Sequence, residues 1–597
     1  GSDRGRSPHN SVASPISRPS NDAANPGDGT LASRCGPVSR WLERVDAHCR
    51  FATARDGDRA PPSSARPAFL ERERPSSRAP ARSGAPGPER PSLTRPRAGL
   101  GDSGPYWDGP GVVCATAMEI LFVTAELGPL AGVSDAAGAV ASLAKALRQL
   151  GHEVTVAMPR YRETERSGLM LARRLTPLLL PEGGEVTVYD GQLPSGVRLT
   201  LFDAPALFDR PGIYGEDDKP FPDNAKRFGL LSQAAVALVR QREAQGGAFD
   251  LLHLHDWPGA LVPLILRRAP GPDVPTVLTV HDVRQQGVFP LRDLELLGLG
   301  PDVDTEEGVR LGTRVNVLKG GLLSASAVTT VSTAYAQEMR SEDLAGPLAA
   351  VISEMGRPIV GIVNGIDYAT CNPATDPLIV SRFHAEDCAN KGLSKTALIR
   401  ELGLELDPER PLVACIGTTT RDGGLDLLAA GLPAVLRNAL TMVVALHPPS
   451  HGPLVDRLDA GLGQYPERSA LVREADEAMD HRLLAAADLL VVPARHVPCG
   501  SLQLMGQRYG AVPIVSASGG HLDTVVDCDA GLSTGTGFVF EELTANGLAQ
   551  AVERGLVAMR DPGWARVRRR IMRLDLGWDR PARRYLQIYR QAIGARA

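Results

Sequence analysis

The sequence predicts an α/β protein made of two doubly wound, Rossmann-like domains facing one another across a cleft. Three observations carry that expectation. From Met118 onward, short apolar runs alternate with amphipathic helical stretches, the pattern of parallel sheets covered by helices on both faces. The runs fall into two separate series. Between the series lies Asn372-Pro373-Ala374-Thr375-Asp376-Pro377, whose two prolines interrupt any regular element.

The first series opens at Ile120-Leu121-Phe122-Val123-Thr124, apolar enough for burial on both faces, and leads into a helix over 139–150. Further strands are expected at 152–158, 199–202, 251–255, 274–280 and 327–331. The second series starts at Leu412-Val413-Ala414-Cys415-Ile416 and continues through 442–446, 489–492 and 512–515. The expected organisation is one Rossmann-like domain over 118–373, a second over 374–575, and a closing helical segment over 576–597.

Residues 1–117 stand apart. They are rich in Arg, Pro, Ser, Ala and Gly and show no apolar periodicity. Such a stretch buries too little surface to offset the entropy of ordering, so disorder is expected there. It has no apolar core of a secretory signal, and its Asp and Glu are too frequent for a transit peptide. Met118 stands directly before the first strand, so the simpler account of 1–117 is upstream sequence translated ahead of a start at Met118.

Composition narrows the function classes. The 597 residues are 43 % hydrophobic and 22 % charged, as in ordinary globular proteins. A net charge of -4 argues against nucleic acid as a partner. No apolar run approaches the roughly 18 residues that span a membrane. The eight cysteines are scattered without C-x-x-C spacing, which points to no metal site and to reduced thiols in a cytoplasmic protein.

In open parallel sheets, ligands sit beyond the carboxyl ends of the strands. The segments there resemble the glycogen and starch synthases. The likeness rests on His255-Asp256-Trp257, Thr279-Val280-His281-Asp282, Gln285 with Gly287-Val288-Phe289, Asn316-Val317-Leu318-Lys319, Val328 to Ser332, Val363 to Tyr368, Asn372 to Pro377, Pro498-Cys499-Gly500, Gly535 to Phe540, and Trp578 with Arg583-Arg584-Tyr585-Leu586. The resemblance implies the glycosyltransferase B architecture and transfer of glucose from ADP-glucose to an α-1,4-glucan such as glycogen. It also implies no metal and no cofactor. The donor nucleotide then sits mainly on the second domain and the acceptor on the first, with positive side chains and backbone N–H groups neutralising the departing diphosphate.

The chain departs from that pattern at three places. The family's loop after the first strand reads Lys-x-Gly-Gly-Leu-Ala-Asp; here it is Gly132-Val133-Ser134-Asp135-Ala136-Ala137-Gly138. The lysine has become Gly132, the glycines Ser134 and Asp135, and the acidic residue Gly138. A carboxylate at Asp135 repels a diphosphate at short range. The second clamp, Ser-Arg-Leu-Thr-x-x-Lys-Gly-Leu-Asp, reads Gly417 to Asp426, with Thr418 for the arginine and Gly423 for the lysine. Arg421 is a candidate substitute, offset by Asp422 beside it, or else a surface arginine at a turn. At the third place, the family's sugar-facing glutamate is Val497, preceded by His496, which is either a displaced polar contact or a loop residue.

Other implied positions are retained. Glu126, His281 and Asn316 match positions near the reacting sugar or acceptor, and Asp256 and Trp257 match a cleft-lining element. Cys499, Gly500, Ser518, Gly519 and Gly520 match the donor side. Structural roles stay open for several: Trp257 can pack, Asn316 can cap a helix, and His281 can be a satisfied histidine at a strand end. The expected function is therefore a glycogen synthase-like transferase with impaired or absent catalysis. The alternatives are an active transferase with an altered donor or clamp, in which Arg421, His496 or another side chain replaces the missing charges, a non-catalytic glucan- or nucleotide-binding protein, and a partner of an active synthase.

Overall fold

The computed structural model describes residues 117–595 apart from 182, 217–218 and 449, so the expectation for 1–117 falls, but for Ala117, outside the described residues. The chain forms two parallel-sheet lobes, each around its own apolar core.

The first lobe is built on β1 (Glu119–Val123), β2 (Glu153–Pro159), β3 (Glu185–Gln192), β4 (Arg198–Asp203), β5 (Leu251–His255), β6 (Thr276–Val280), β7 (Ala327–Thr330) and β8 (Ile359–Gly361). Their order is β8-β7-β6-β5-β1-β2-β4-β3, with two short strands, Ala172–Arg173 and Leu178–Leu179, pairing β3 at the far edge of a ten-stranded sheet. All neighbours from β8 to β4 are parallel, and β3 runs antiparallel to β4. β1 sits at the centre, where Ile120 pairs with Val154 on one side and Leu251 on the other. Its Ile120, Leu121, Phe122 and Val123 are all buried, as a strand covered on both faces requires.

The second lobe carries β9 (Leu412–Gly417), β10 (Thr441–Leu446), β11 (Ser469–Val472), β12 (Leu489–Val492), β13 (Val512–Ser516) and β14 (Phe538–Phe540). These are all parallel, in the order β11-β10-β9-β12-β13-β14. That order reverses between β9 and β12, and in the first sheet it reverses between β1 and β5. Each reversal opens a crevice at the carboxyl ends of those strands, the usual ligand position in such sheets.

Helix α1 (Asp135–Gln149) begins earlier than its apolar periodicity alone suggests, because Ser134 caps it: the Ser134 hydroxyl accepts from the Ala136 N–H at 3.3 Å. The last helix, α2 (Asp579–Gly594), packs into the first lobe, burying Ala582, Tyr585, Ile588 and Tyr589 in its core. The chain thus leaves the first lobe, builds the second and returns. The return is tight: Ile366 donates its N–H to the Leu576 carbonyl at 2.8 Å, and a Cβ on Gly365 would collide with Gly577.

The outward crossing is pinned by Asp376, buried in the segment of the two prolines. Its carboxylate lies 2.7 Å from His481 Nδ1 and accepts from the Tyr509 hydroxyl at 2.5 Å. Asp376→Ala takes the carboxylate from both buried partners and leaves them only their mutual contact, Tyr509 hydroxyl to His481 Nδ1 at 3.2 Å, which costs about 3 kcal/mol. Denaturant unfolding should show a correspondingly lower midpoint, and an unchanged midpoint would mean that Asp376 does not fix the crossing.

Candidate functional site

The segments after β6 and β7 in the first lobe meet those after β9, β12 and β13 in the second, and the loops after β1 and β5 lie beside them in the first lobe. Glu126, beyond β1, is buried, with only 4 % of its surface exposed. One of its oxygens accepts from the Val133 N–H at 2.7 Å, the Ser134 N–H at 3.0 Å and the Ser134 hydroxyl at 3.0 Å; the other accepts from the Tyr214 hydroxyl at 3.0 Å. Burial raises its carboxyl above the usual range, and these donors only partly offset the shift. Glu126 thus uses up the loop N–H groups just ahead of α1, the groups a phosphate would need. The loop has closed around it. A Cβ on Gly132 would collide with Ala137, so a lysine cannot simply be restored there, whereas Gly138 faces open space. Asp135 stands at the start of α1; across the cleft, burial pushes the Cys499 thiol up to about 12, with a smaller push from Asp135.

Beyond β5, Asp256 takes a left-handed backbone with φ 53°, a strained conformation for a residue with a side chain. The strain turns its carboxylate onto the His281 N–H at 2.7 Å, fixing the end of β6. Burial drives the Asp256 carboxyl well above its usual range. His281 Nε2 lies 3.2 Å from His255 Nδ1, and burial pushes the His281 imidazole down to about 4. It is neutral near pH 7.

Two retained positions are occupied with packing. Asn316 caps the helix Val317–Ser324, accepting from the Lys319 N–H at 2.9 Å and donating to Gln286 at 2.7 Å. Trp257 stacks among Phe228, Phe289 and Tyr214, with Gly287 so close that a Cβ there would strike the indole.

In the second lobe, Thr418 and Thr420 share a hydroxyl contact at 2.9 Å, and Thr420 accepts from the Gly423 N–H at 3.2 Å. A Cβ on Gly423 would lie 2.7 Å from the Thr418 carbonyl, so this loop too has closed where a lysine is expected. Val497 is 5 % exposed and accepts, through its carbonyl, from the Gly520 N–H at 2.8 Å. Gly519 (φ 45°) and Gly520 are glycines of necessity: side chains would run into the Val497 and Cys499 carbonyls. Ser518 donates to the Arg495 carbonyl at 3.0 Å, and Gly500, at φ 73°, turns the chain against Gln503 and Val497. The structure therefore brings Val497, Cys499, Gly500, Ser518, Gly519 and Gly520 together, and separately Glu126, Gly132 and Ser134.

Contacts between the lobes add residues that the sequence motifs do not single out. Glu338 accepts from the Gly519 N–H at 2.7 Å. Asp523 accepts from the Ser332 hydroxyl at 2.6 Å and the Thr333 and Ala334 N–H groups at 2.5 and 3.1 Å. Arg284, beyond β6, holds Asp282 through Nη2 at 2.9 Å and reaches Asp422 of the second lobe through Nη1 at 2.6 Å. Burial would raise the Asp282 carboxyl, but the His496 imidazole at 3.3 Å and the Arg284 guanidinium outweigh it and hold the group well below the usual range. His496 is thus a cleft contact rather than a surface loop residue. Arg421 is exposed, and its backbone carbonyl accepts from Arg495 at 2.8 Å. Two cations reach this loop from outside it: Arg495, which pairs with Asp426 at 2.6 and 2.8 Å, and Arg284, which crosses from the first lobe to Asp422.

A cavity of about 250 Å³ bordered by Asn372, His384, Arg508 and Arg573 contains none of these cleft residues. Among the described residues, no group of three or more His, Cys, Asp or Glu is placed to hold a metal ion. The described cysteines are all free, and no described helix is long and apolar enough to cross a membrane.

Two parallel sheets with their strand ends opposed across a cleft define a glycosyltransferase of the B type. The catalytic domain of starch synthase IV from Arabidopsis thaliana, solved with ADP and acarbose bound, matches the fold with a TM-score of 0.71 at 28 % identity, covering 80 % of this chain and 100 % of that one. The chain belongs to the glycogen and starch synthase family. The family model for the starch synthase catalytic domain matches residues 119–354. Glycogen synthases from Anaeromyxobacter sp. (strain Fw109-5) and Alkalilimnicola ehrlichii are 39 % and 36 % identical over 492 and 485 residues, which is 79 % and 80 % of this chain and 99 % of each relative. That from Burkholderia thailandensis is 38 % identical over 484 residues, 79 % of this chain and 90 % of the relative.

Because His281 titrates near 4 in the fold and at an ordinary 6.5 when exposed, the unfolded chain binds a proton that the fold rejects between those values. Its contribution to stability is present above about pH 6.5 and lost as the pH falls through that window. His281→Gln should therefore lose less stability than the parent on acidification from about pH 6.5 to 4. Thermal melts across that range check it, and parallel slopes would show that His281 titrates normally.

Proposed function

We propose that this protein binds an α-glucan and a sugar nucleotide in its cleft but transfers glucose very weakly or not at all. The observation that carries the reading is the rebuilding of the cleft where the family reaction needs charge. The loops at Gly132 and Gly423 have closed over the space of two lysines, Thr418 stands for an arginine, and Val497 puts a buried apolar group in place of a carboxylate. Loss of one preorganised charge-stabilising group lowers the rate roughly 10²–10³-fold. Four losses are not additive, yet together they amount to several powers of ten.

The ligand classes are supported by the relatives. ADP and acarbose occupy the Arabidopsis structure, and glycogen synthase is the name of the bacterial relatives, which favours ADP-glucose and glycogen. The retained turn at Ser518-Gly519-Gly520 and the ordered Asp256–His281 pair support binding at the same cleft. Free cysteines among the described residues favour a reducing, cytoplasmic setting.

The test is incorporation of labelled glucose from ADP-glucose into glycogen by the full chain, beside an Anaeromyxobacter glycogen synthase. The expected rate is at least about a thousandfold lower, with glycogen still retained in a pull-down. Val497→Glu alone leaves the rate low, because the phosphate-facing cations remain absent. Incorporation approaching that of the relative would overturn the reading.

A further inference from the structure

We propose that Arg284 is the anion-binding residue of this cleft, taking the diphosphate of a nucleoside diphosphate in exchange for the Asp422 carboxylate. The inference rests on the nucleotide-binding reading above and assigns its phosphate contact to a residue in the opposite lobe from the family's second clamp.

The two edges of the guanidinium do different things. Nε and Nη2 face Asp282, at 3.2–3.3 Å and 2.9 Å, within the same loop. Asp282 is itself fixed, with the Tyr335 hydroxyl and His496 Nε2 each 3.3 Å from its Oδ1. This edge anchors the side chain. Nη1 alone points across the cleft, to Asp422 at 2.6 Å.

Asp422 lies in the loop after β9, beside the crevice where the second sheet reverses its order, and that loop has lost both of its expected cations. The Asp422 carboxylate is 25 % exposed while the Arg284 side chain is 13 % exposed. The aspartate can therefore swing into water at little desolvation cost, whereas the guanidinium stays in the cleft and keeps its need for an anion. Phosphate oxygens satisfy that need, because the planar guanidinium fork pairs with phosphate as well as with carboxylate. Asp282 prevents Arg284 from leaving with Asp422. The site still lacks the sugar-facing carboxylate, since Val497 is buried and apolar, so it binds without promoting transfer.

The experiment measures ADP, inorganic pyrophosphate and adenosine binding by calorimetry for the full chain, Arg284→Gln and Asp422→Asn, with glycogen retention as a check on folding. Arg284→Gln should weaken ADP about tenfold or more. Asp422→Asn should tighten ADP and pyrophosphate several-fold, because the internal competitor loses its charge, and should leave adenosine unchanged. Unchanged ADP binding in Arg284→Gln overturns the proposal. So does an Asp422→Asn effect that is absent, or equal for adenosine and ADP, since that would report lobe loosening rather than a phosphate contact. If the unsubstituted chain binds none of the three, the nucleotide reading falls and this proposal with it. If it binds ADP and neither substitution changes that, only the proposal falls.

Discussion

Asp523 and Glu338 set the geometry of the cleft, because each carboxylate reaches from one lobe onto backbone N–H groups at a helix start in the other. Asp523, on the short helix Gly520–Thr524, meets the first turn of Thr333–Glu338, while Glu338 at the end of that helix meets Gly519 just ahead of the first. Helix starts carry partial positive charge, so the exchange is favourable in both directions. Hydrogen bonds to charged groups contribute about 1.5–3 kcal/mol each. The exchange fixes which loops face each other, and Arg284 meets Asp422 and His496 meets Asp282 as a consequence.

Close approach of the lobes then dictates the small residues. Gly519 and Gly520 lie against the carbonyls of Val497 and Cys499, and Gly365 lies against Gly577 where the chain returns. At these points glycine is required by space, independently of any ligand. Gly132 and Gly423 differ in origin. They stand where the resemblance implies lysines, and a Cβ there would meet Ala137 in the first case and the Thr418 carbonyl in the second.

The parallel strands were legible in the sequence because burial on both faces leaves uninterrupted apolar runs, as in Ile120–Val123 and Leu489–Val492. The loops holding the candidate residues were legible because they follow those runs. What a side chain does inside a loop was less so. Glu126 reads as a site carboxylate from its motif, yet its oxygens are taken by Val133, Ser134 and Tyr214, and this depends on the fold of a loop that no periodicity describes. Ser134 reads as a lost glycine and is a helix cap. Arg284 went unnoticed because its partner Asp422 is 138 residues away, a pairing that only the facing of two sheets creates.

Binding and catalysis are separable in such a cleft because they draw on different groups. Holding an anion needs a cation with one exchangeable edge, and in the proposal above Arg284 supplies it once Asp422 gives way. Stabilising the developing positive charge on a sugar needs a carboxylate at the sugar itself, and Val497 is 5 % exposed with its carbonyl already bonded to Gly520. A glutamate there must find room beside Gly500, where an added Cβ would come within 2.8 Å of the Val497 side chain. On the proposed reading, restoring transfer takes changes at Gly132, Gly423 and Val497 together. Binding requires only that one aspartate give way.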